Sequence, residues 1–403
     1  MASMRRNPLL TGLTLSVVLH GYIAWRLLPA LALTPVGFVF ALGLLLLSGL
    51  LTPAPLLIRL AHLPERVADA LAWVGYLAMG VFSSLLVLCL LRDVSLLLLW
   101  ASGSRHFDTL RHVSALAVLA LTGVVSAIGV VNARRLAAVV HVDVPIRDLP
   151  SALDGFTLIQ LSDIHVGPTI KRGYLSAIVA RVNSLDADVV AITGDVIDGG
   201  VDRLRTHVAP LADLRSRHGT YCVTGNHEYY HGADAWVAEW RRLGLHVLLN
   251  QNTVLKHDGA SVLIAGVTDY GAHHYHAAHR SDPVAAARTA TPVALKILLA
   301  HQPRSAAAAA AAGFDLQLSG HTHGGQFLPW NFFVTMQQPF VAGLKRFQAL
   351  WVYTSRGTGY WGPPLRFLAP SEITRLRLVR ATASQPSAAP VQAPSDVRAS
   401  VGS

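Results

Sequence analysis

Residues 157–165 read TLIQLSDIH, a short apolar run that ends in an aspartate and a histidine two positions apart. Four more apolar runs are followed by Asp, Asn, His or Glu in the same way: VVAITGD at 189–195, TYCVTGNHE at 220–228, LKILLAH at 295–301 and LQLSGHTH at 316–323. Short apolar runs bounded by turn residues are typical of buried strands. Stretches with helical patterns separate them, so the sequence predicts α/β architecture.

Each of these five predicted strands is followed by a potential metal ligand. In open α/β sheets, ligands bind in the crevice beyond the carboxyl ends of the strands. Glycines at 194, 225 and 320 allow the backbone to turn beside such a site without a side-chain clash. We therefore expect one cavity to receive seven side chains: Asp163, His165, Asp195, Asn226, His301, His321 and His323.

The residue types in this set favour a pair of divalent cations. Taken singly, a strand-end Asp or Asn is commonly a turn former and a lone His is commonly structural. Their recurrence at five strand ends favours metal binding, because imidazoles suit Mn, Fe, Co or Zn and carboxylate and amide oxygens add hard ligands. An aspartate can bridge two ions about 3.5–4 Å apart, which lowers the pKa of bound water and neutralises phosphoryl charge.

The ordered series Asp-x-His, Gly-Asp, Gly-Asn-His-Glu, His and Gly-His-x-His resembles the calcineurin-like metallophosphoesterase signature, with no element missing. The strings LLAHQP, DLQLSGHTHGGQ and SRGTGYWGPPLR are similar to the bacterial branch typified by YkuE and YaeI. This likeness spans roughly residues 150–380. The layout also resembles transmembrane proteins with a metallophosphoesterase domain.

The resemblance implies a four-layer αββα sandwich of two mixed sheets flanked by helices, placed at 140–380. It implies that one ion is held by Asp163, His165, Asp195 and His323. It implies that the second ion is held by Asp195, Asn226, His301 and His321, with Asp195 bridging.

His227 matches the family histidine that approaches the substrate as an acid or transition-state stabiliser. The sequence itself supports this role. His227 adjoins a ligand without being needed to complete the set of ligands of either ion, and a histidine can protonate a leaving oxygen near pH 7. The alternative is a hydrogen-bonding residue that orients Asn226. Glu228 stands where the motif often has Asp, and we expect it to support the ligands rather than bind metal.

Three further features are weaker candidates. Arg356 and Arg366 could grip a phosphate bidentately, although packing roles are an alternative. Residues 330–333 (WNFF) form either a hydrophobic lip facing lipid or an ordinary core patch. A dense histidine group suggests a loop over the pocket or, less favoured, another metal site: His273, His274, His276 and His279.

The first third of the chain has a different texture, and 52% of all residues are hydrophobic against 14% charged. Apolar stretches at about 9–28, 36–51, 70–91 and 113–131 predict four transmembrane helices within residues 1–135. Residues 94–100 are ambiguous between an interfacial turn and a fifth crossing. A cleaved signal peptide is the alternative for the first span. Residues 381–403 are rich in Ala, Ser and Pro, which predicts a disordered tail.

The net charge of +10 does not by itself indicate nucleic-acid binding, because the sequence has no Lys/Arg stripe interleaved with aromatics. Arginines flanking the apolar spans suit anionic lipid headgroups. Loop charge counts, six basic residues against four, predict a cytoplasmic catalytic domain in a bacterial plasma membrane. The two cysteines, Cys89 and Cys222, form no recognisable metal or disulfide framework.

The sequence thus predicts a membrane-anchored, metal-dependent phosphoric ester hydrolase. It would cleave a phosphoester or pyrophosphate bond, in a phosphorylated small molecule or a lipid-linked substrate, through metal-activated hydroxide. One alternative is a catalytically silent scaffold or metal-dependent sensor on the same fold. Another is a transporter, which is disfavoured because His20 is the only evident ionisable group within a predicted span.

Overall fold

The computed structural model describes residues 8–55, 63–103 and 105–381. These residues form two compact units. The first comprises Met1–Arg134 with Gly362–Phe367, and the second comprises Arg135–Trp361 with Leu368–Ser403, as far as each range is described. The predicted tail lies outside the described residues, except for Ala381, as do Arg5, Arg6 and Arg59, which entered the charge count.

Among its described residues, the first unit has four apolar helices at the positions of the four predicted spans: α1 Pro8–Leu27, α2 Pro35–Leu51, α3 Glu65–Ala101 and α4 Phe107–Arg134. In the part of the chain that the structure describes, three segments are long and apolar enough to cross a bilayer: Leu10–Leu31, Glu65–Ala101 and Phe107–Arg134. Helix α2 has 17 residues and is shorter than these. Pro35 begins α2, where its fixed φ and missing N–H suit a helix start, and Thr34 caps it.

Helix α3 corrects two expectations. It has 37 residues and runs through 94–100, so this segment is neither an interfacial turn nor a separate crossing. The same helix carries Arg92 and Asp93, which add charged groups to His20. Arg92 is 5% exposed and donates to the Ser114 hydroxyl and the Arg111 carbonyl, while Arg26 donates to the Asp93 carboxylate. These charges are paired within the unit, as buried charges generally are.

The second unit contains twelve described strands. The first sheet uses β1 Ala138–Ile146, β2 Thr157–Leu161, β3 Val189–Ile192, β4 Thr220–Cys222, β5 His246–Val247 and β12 Glu372–Arg380. The second uses β6 Gln251–His257, β7 Ala260–Gly266, β8 Leu295–Leu299, β9 Leu316–Ser319, β10 Gly343–Phe347 and β11 Leu350–Thr354.

Both sheets are mixed and six-stranded, with orders β1-β12-β2-β3-β4-β5 and β10-β11-β9-β8-β7-β6. In the first, β2, β3, β4 and β5 pair in parallel, and in the second β7, β8, β9 and β11 do so. Strands β6 and β10 are antiparallel edges. Parallel neighbours place the carboxyl ends of β2, β3 and β4 at one edge of the sheet, where the motif residues follow.

The main core lies between the two sheets. Leu158 and Val189 of the first sheet pack in one cluster with Ile264 and Ile297 of the second. Alternate residues of a strand face opposite sides, and Leu263 and Leu298 join a separate cluster with α10, the alanine-rich helix Ala306–Ala311. The second sheet is thus covered on both faces, which is why its central strands β7 and β8 are largely apolar in sequence.

Seven shorter helices complete the second unit's regular helical structure: α5 Arg172–Asn183, α6 Val201–Val208, α7 Asn226–Tyr230, α8 Ala233–Arg242, α9 Pro283–Ala286, α10 and α11 Trp330–Val334. Helix α6 ends at Val208, just before Pro210, and a 3-10 turn, Ala209–Asp213, follows it.

Candidate metal centre

The seven predicted ligand residues converge through a continuous chain of contacts. His165 Nε2 lies 3.1 Å from His323 Nε2, which lies 3.4 Å from Asp163 Oδ1. On the other side, His301 Nε2 lies 3.1 Å from Asn226 Oδ1 and 3.3 Å from His321 Nδ1. The sequence prediction that these strand ends meet agrees with this geometry.

The Asp195 carboxylate lies between the two halves of this cluster. Its Oδ2 is 3.2 Å from His301 Nε2 and 3.9 Å from His165 Nε2. Asp195 forms one group with His301 and His321, in which one ligand atom of each residue lies within 4.8 Å of the others, and Asp163, His165 and His323 form a second group of the same kind. A single oxygen therefore faces both groups, which is the position of a shared ligand.

The donor set suits metal ions better than it suits ordinary hydrogen bonding. His301 Nδ1 lies 2.8 Å from the Thr193 carbonyl and donates its proton there, so Nε2 is the ring nitrogen that faces the cluster. That nitrogen faces an amide oxygen, a carboxylate oxygen and an imidazole nitrogen at once. One nitrogen carries at most one proton and cannot satisfy three acceptors, whereas a cation can accept all of these lone pairs.

Two of the imidazoles and the Asp195 carboxylate have protonation states that favour metal binding. Burial lowers the pKa of His165 and that of His321 to about 3, so both imidazoles are neutral at pH 7, the form that ligates a cation. Burial alone would raise the pKa of Asp195, but His301 and His227 outweigh it and hold the pKa well below its usual value. The carboxylate is therefore ionised.

Backbone conformation at the ligands is unusual. Five of them have positive φ angles, which non-glycine residues rarely adopt: Asp163 at 52°, His165 at 54°, Asp195 at 51°, His321 at 69° and His323 at 51°. Conformations of this kind cost free energy and cluster at functional sites. The strand ends are thus turned sharply to aim these side chains into the cavity.

The three expected glycines lie where a side chain could not. A Cβ on Gly225 would overlap the Asp195 carboxylate, and one on Gly320 would overlap that of Asp163. Gly194 has φ +90°, and a Cβ there would lie 2.9 Å from His301 Nδ1. Close approach of the backbone to the ligands therefore requires glycine at these positions.

Comparison with known proteins agrees with this geometry. The family described as Calcineurin-like phosphoesterase matches residues 156–325. The chain is 40% identical over 325 residues to the "Transmembrane protein with metallophosphoesterase domain" of Bos taurus, covering 76% of this chain and 73% of that protein. The chain belongs to the calcineurin-like metallophosphoesterase family. A second relative, the "Uncharacterized metallophosphoesterase YkuE" of Bacillus subtilis, is 31% identical over 241 residues, 56% of this chain and 80% of that protein.

In this metallophosphoesterase, His227 is held beside the cluster by a residue that the sequence analysis did not single out. His227 Nδ1 lies 3.2 Å from Asp198 Oδ1, and His231 Nε2 lies 3.2 Å from the same oxygen. His227 Nε2 lies 4.0 Å from Asp195 Oδ2. Asp198 comes three residues after Asp195 in the string GDVID, so a second aspartate in the same loop was the available signal.

Glu228 supports the ligand loops, as expected, without facing the cluster as a ligand. Its Oε2 accepts from the backbone N–H of Asp195 at 3.0 Å and of Gly225 at 2.7 Å, and its Oε1 accepts from Val196 at 2.9 Å. The carboxylate is fully buried. It therefore joins the loop after β3 to the loop after β4, which carry two of the candidate ligands.

The two arginine candidates have different surroundings. A Cβ on Gly324 would meet the Arg356 side chain at 3.0 Å, so Arg356 lies beside the loop of His323, and its Nη1 donates to Glu372 at 2.9 Å. Arg366 is fully buried in the first unit, where its N–H donates to the Gly129 carbonyl. The predicted phosphate contact of Arg366 is not supported, because a fully buried residue offers no face to a substrate.

The remaining two candidates lie at the surface of the second unit. Helix α11 has no buried residue, so residues 330–333 are not a core patch; Phe332 is 67% exposed. In the histidine loop, His274 and His276 are exposed, while His279 Nδ1 lies 2.9 Å from the Tyr229 hydroxyl. The loop is thereby fastened to α7, the helix that carries Asn226 and His227.

Proposed function

We propose that the protein is an integral membrane phosphoesterase that hydrolyses a phosphoester or pyrophosphate bond at a binuclear metal centre. The observation that carries the proposal is the position of Asp195 Oδ2, within 3.9 Å of imidazoles from both ligand groups. Asp163, His165, Asp195 and His323 would hold one ion, and Asp195, Asn226, His301 and His321 the other. Mn, Fe, Zn and Co all suit this ligand set.

When bound, the two ions would supply a hydroxide nucleophile at neutral pH and neutralise charge on the phosphoryl oxygens. The chain's own contribution is proton transfer and orientation. Burial lowers the pKa of His227, but the carboxylates of Asp195 and Asp198 more than offset it, so the pKa is raised above its ordinary value. A protonated His227 would donate from Nε2 to the leaving oxygen, while Asp198 holds Nδ1.

Substrate orientation would involve residues at the rim of the cluster. Trp361 presents its ring edge-on to His227, with centroids 5.6 Å apart, and is 49% exposed. Arg356 places a guanidinium beside the His323 loop, where it would contact a phosphate oxygen. A carboxylate partner on Arg356 fixes the orientation of that guanidinium.

A lipid-linked phosphate is the substrate class that the surface favours. Helix α11 follows the ligand His323 by a few residues, and a Cβ on Gly325 would overlap the Asn331 backbone, so helix and ligand loop are packed together. Four apolar side chains there are exposed: Trp330, Phe332, Phe333 and Met336. A cluster of this kind beside a site marks contact with an apolar partner, and a chain with apolar helices of bilayer length meets lipid.

The second unit is proposed to lie on the cytoplasmic side of a bacterial plasma membrane, because the count of basic residues in the short loops favours that side. A reporter enzyme that is active only in the cytoplasm, fused after Ser403, tests this side. An active reporter supports the proposal, and labelling of the fusion by an impermeant reagent in intact cells overturns it.

The activity is tested on the full-length chain purified in detergent, stripped of metal and loaded separately with Mn, Fe, Co or Zn. Release of phosphate or alcohol from model mono- and diesters is measured alongside metal content. We expect turnover with at least one metal, and its loss in Asp195→Asn and Asn226→Ala. A fully loaded protein with no turnover on any ester would favour the scaffold or sensor alternative.

A further inference from the structure

A second group of side chains that could bind a metal lies at the end of the first sheet opposite the candidate metal centre. Asp188 immediately precedes β3, His218 precedes β4, and His257 ends β6. The candidate metal centre follows the carboxyl ends of the same strands. Asp188 and Asp195 are seven residues apart along an extended segment, a separation of up to ~23 Å at ~3.3 Å per residue.

The ligand atoms of this group are spaced as ligands of one ion. His218 Nε2 lies 3.0 Å from His257 Nδ1, and His257 Nδ1 lies 3.7 Å from Asp188 Oδ1. One ligand atom from each of the three residues lies within 4.8 Å of the other two. A tetrahedral zinc ion with bonds of about 2.0–2.1 Å separates its ligands by ~3.3 Å, between the two observed distances.

A simple hydrogen-bonded histidine pair does not account for the aspartate. The 3.7 Å separation between Asp188 Oδ1 and His257 Nδ1 is too long for a hydrogen bond. It is an ordinary separation for two ligands of a shared cation.

Neighbouring residues hold these side chains in place, as residues around the ligands of a metal site do. Asp188 Oδ2 accepts from the N–H and the hydroxyl of Thr157, at 2.8 and 3.0 Å, so Oδ1 is the oxygen that faces the histidines. His257 Nε2 lies 3.4 Å from Asp258 Oδ2, and Arg217 donates to Asp258 Oδ1 at 2.7 Å. A carboxylate near the second ring nitrogen is also typical of metal-binding histidines.

We propose that Asp188, His218 and His257 bind a third divalent cation, Zn²⁺ by its ligand preference, with water as the fourth ligand. His218 and Asp188 are half-buried and His257 is 6% exposed, so the ion has access from solvent and a firm inner ligand. The ion would join the first sheet to β6 of the second. Its role is therefore to stabilise the sandwich, and the inference does not depend on the proposed hydrolytic activity.

The test uses the full chain in detergent. Its metals are removed with a chelator, and the chain is then equilibrated with about one equivalent more Zn²⁺ than saturates its sites. Metal per chain is counted by inductively coupled plasma mass spectrometry. We expect His218→Gln and His257→Gln each to bind one zinc fewer than the unsubstituted chain, and His141→Gln, an exposed histidine on β1, to bind the same number. Asp195→Asn should retain this zinc, which separates the third site from the binuclear centre.

A second measurement needs no substitution. Anomalous scattering at the zinc edge, from crystals of the zinc-loaded chain, should give a peak within ~2.2 Å of both His218 Nε2 and His257 Nδ1. Equal zinc counts in His218→Gln and the unsubstituted chain would overturn the proposal. So would a map with peaks at the binuclear centre and none between the two imidazoles.

Discussion

Asp198 and His227 are joined by a 3.2 Å contact between Oδ1 and Nδ1, in a pocket where both side chains are at most 7% exposed. The aspartate orients the imidazole and favours its protonated form. We therefore expect that substituting Asp198, which does not itself contact the reacting atoms, impairs His227 as an acid.

Asp198→Asn is expected to lower kcat roughly 10–100-fold, the usual effect of removing an orienting carboxylate. The pKa of His227 is raised by Asp195 and Asp198 against the effect of burial. An acid works only while protonated, so activity falls as pH rises through that pKa. Removing one carboxylate lowers the pKa, and the alkaline limb of the kcat profile should move to lower pH.

The control for this prediction is Asp202→Asn, which removes the same charge from an exposed position on α6. Its pH profile should match that of the unsubstituted protein. An unchanged alkaline limb in Asp198→Asn would mean that His227 does not act as the acid.

Gly225→Ala is expected to weaken metal binding, because the new methyl group would overlap the Asp195 carboxylate. Overpacking of this kind costs about 1–3 kcal/mol, which corresponds to roughly 5–150-fold in metal affinity if the ligand moves. Competitive titration with a chromophoric chelator measures it. Gly173→Ala on α5, where a Cβ meets nothing within 4 Å, serves as the matched substitution and should leave affinity unchanged.

Glu228→Gln is expected to destabilise the second unit by about 1–3 kcal/mol, because an amide NH₂ would face backbone N–H groups that now donate to a carboxylate. Thermal unfolding monitored by circular dichroism, with and without metal, tests this. Glu228→Asp keeps the charge and should cost less. Equal unfolding temperatures for Glu228→Gln and the unsubstituted chain would contradict the proposal that Glu228 stabilises the two ligand loops.

Phe332→Ser combined with Met336→Ser is expected to slow hydrolysis of a phosphate ester presented in lipid vesicles. Inserting an apolar side chain contributes about 1.5–3 kcal/mol, so the pair should raise the apparent KM at least tenfold. Hydrolysis of a soluble diester is the internal control and should not change. Equal losses on both substrates would point to a structural defect, and no loss on either would favour a soluble phosphodiester.

The ligand set could be read from sequence because each ligand follows a short apolar run and has a recognisable neighbour. Each of the five quoted runs contains one observed strand: β2, β3, β4, β8 and β9. Strand β6 was missed because it is a sheet edge whose exposed residues break the apolar pattern. Strand β12 was missed because its arginines alternate with its leucines, so no continuous apolar run marks it.

The amino-acid order by itself determined the family motifs, the strand ends that carry them and the apolar helices of the first unit. Tertiary structure alone decided that Asp198 reaches His227, that Arg366 is buried in the first unit, and that Asp188, His218 and His257 meet. Local patterns report which residues lie on a strand or a helix, since those follow the period of the backbone. Contacts between residues far apart in the chain depend on sheet order and register, which no local pattern encodes.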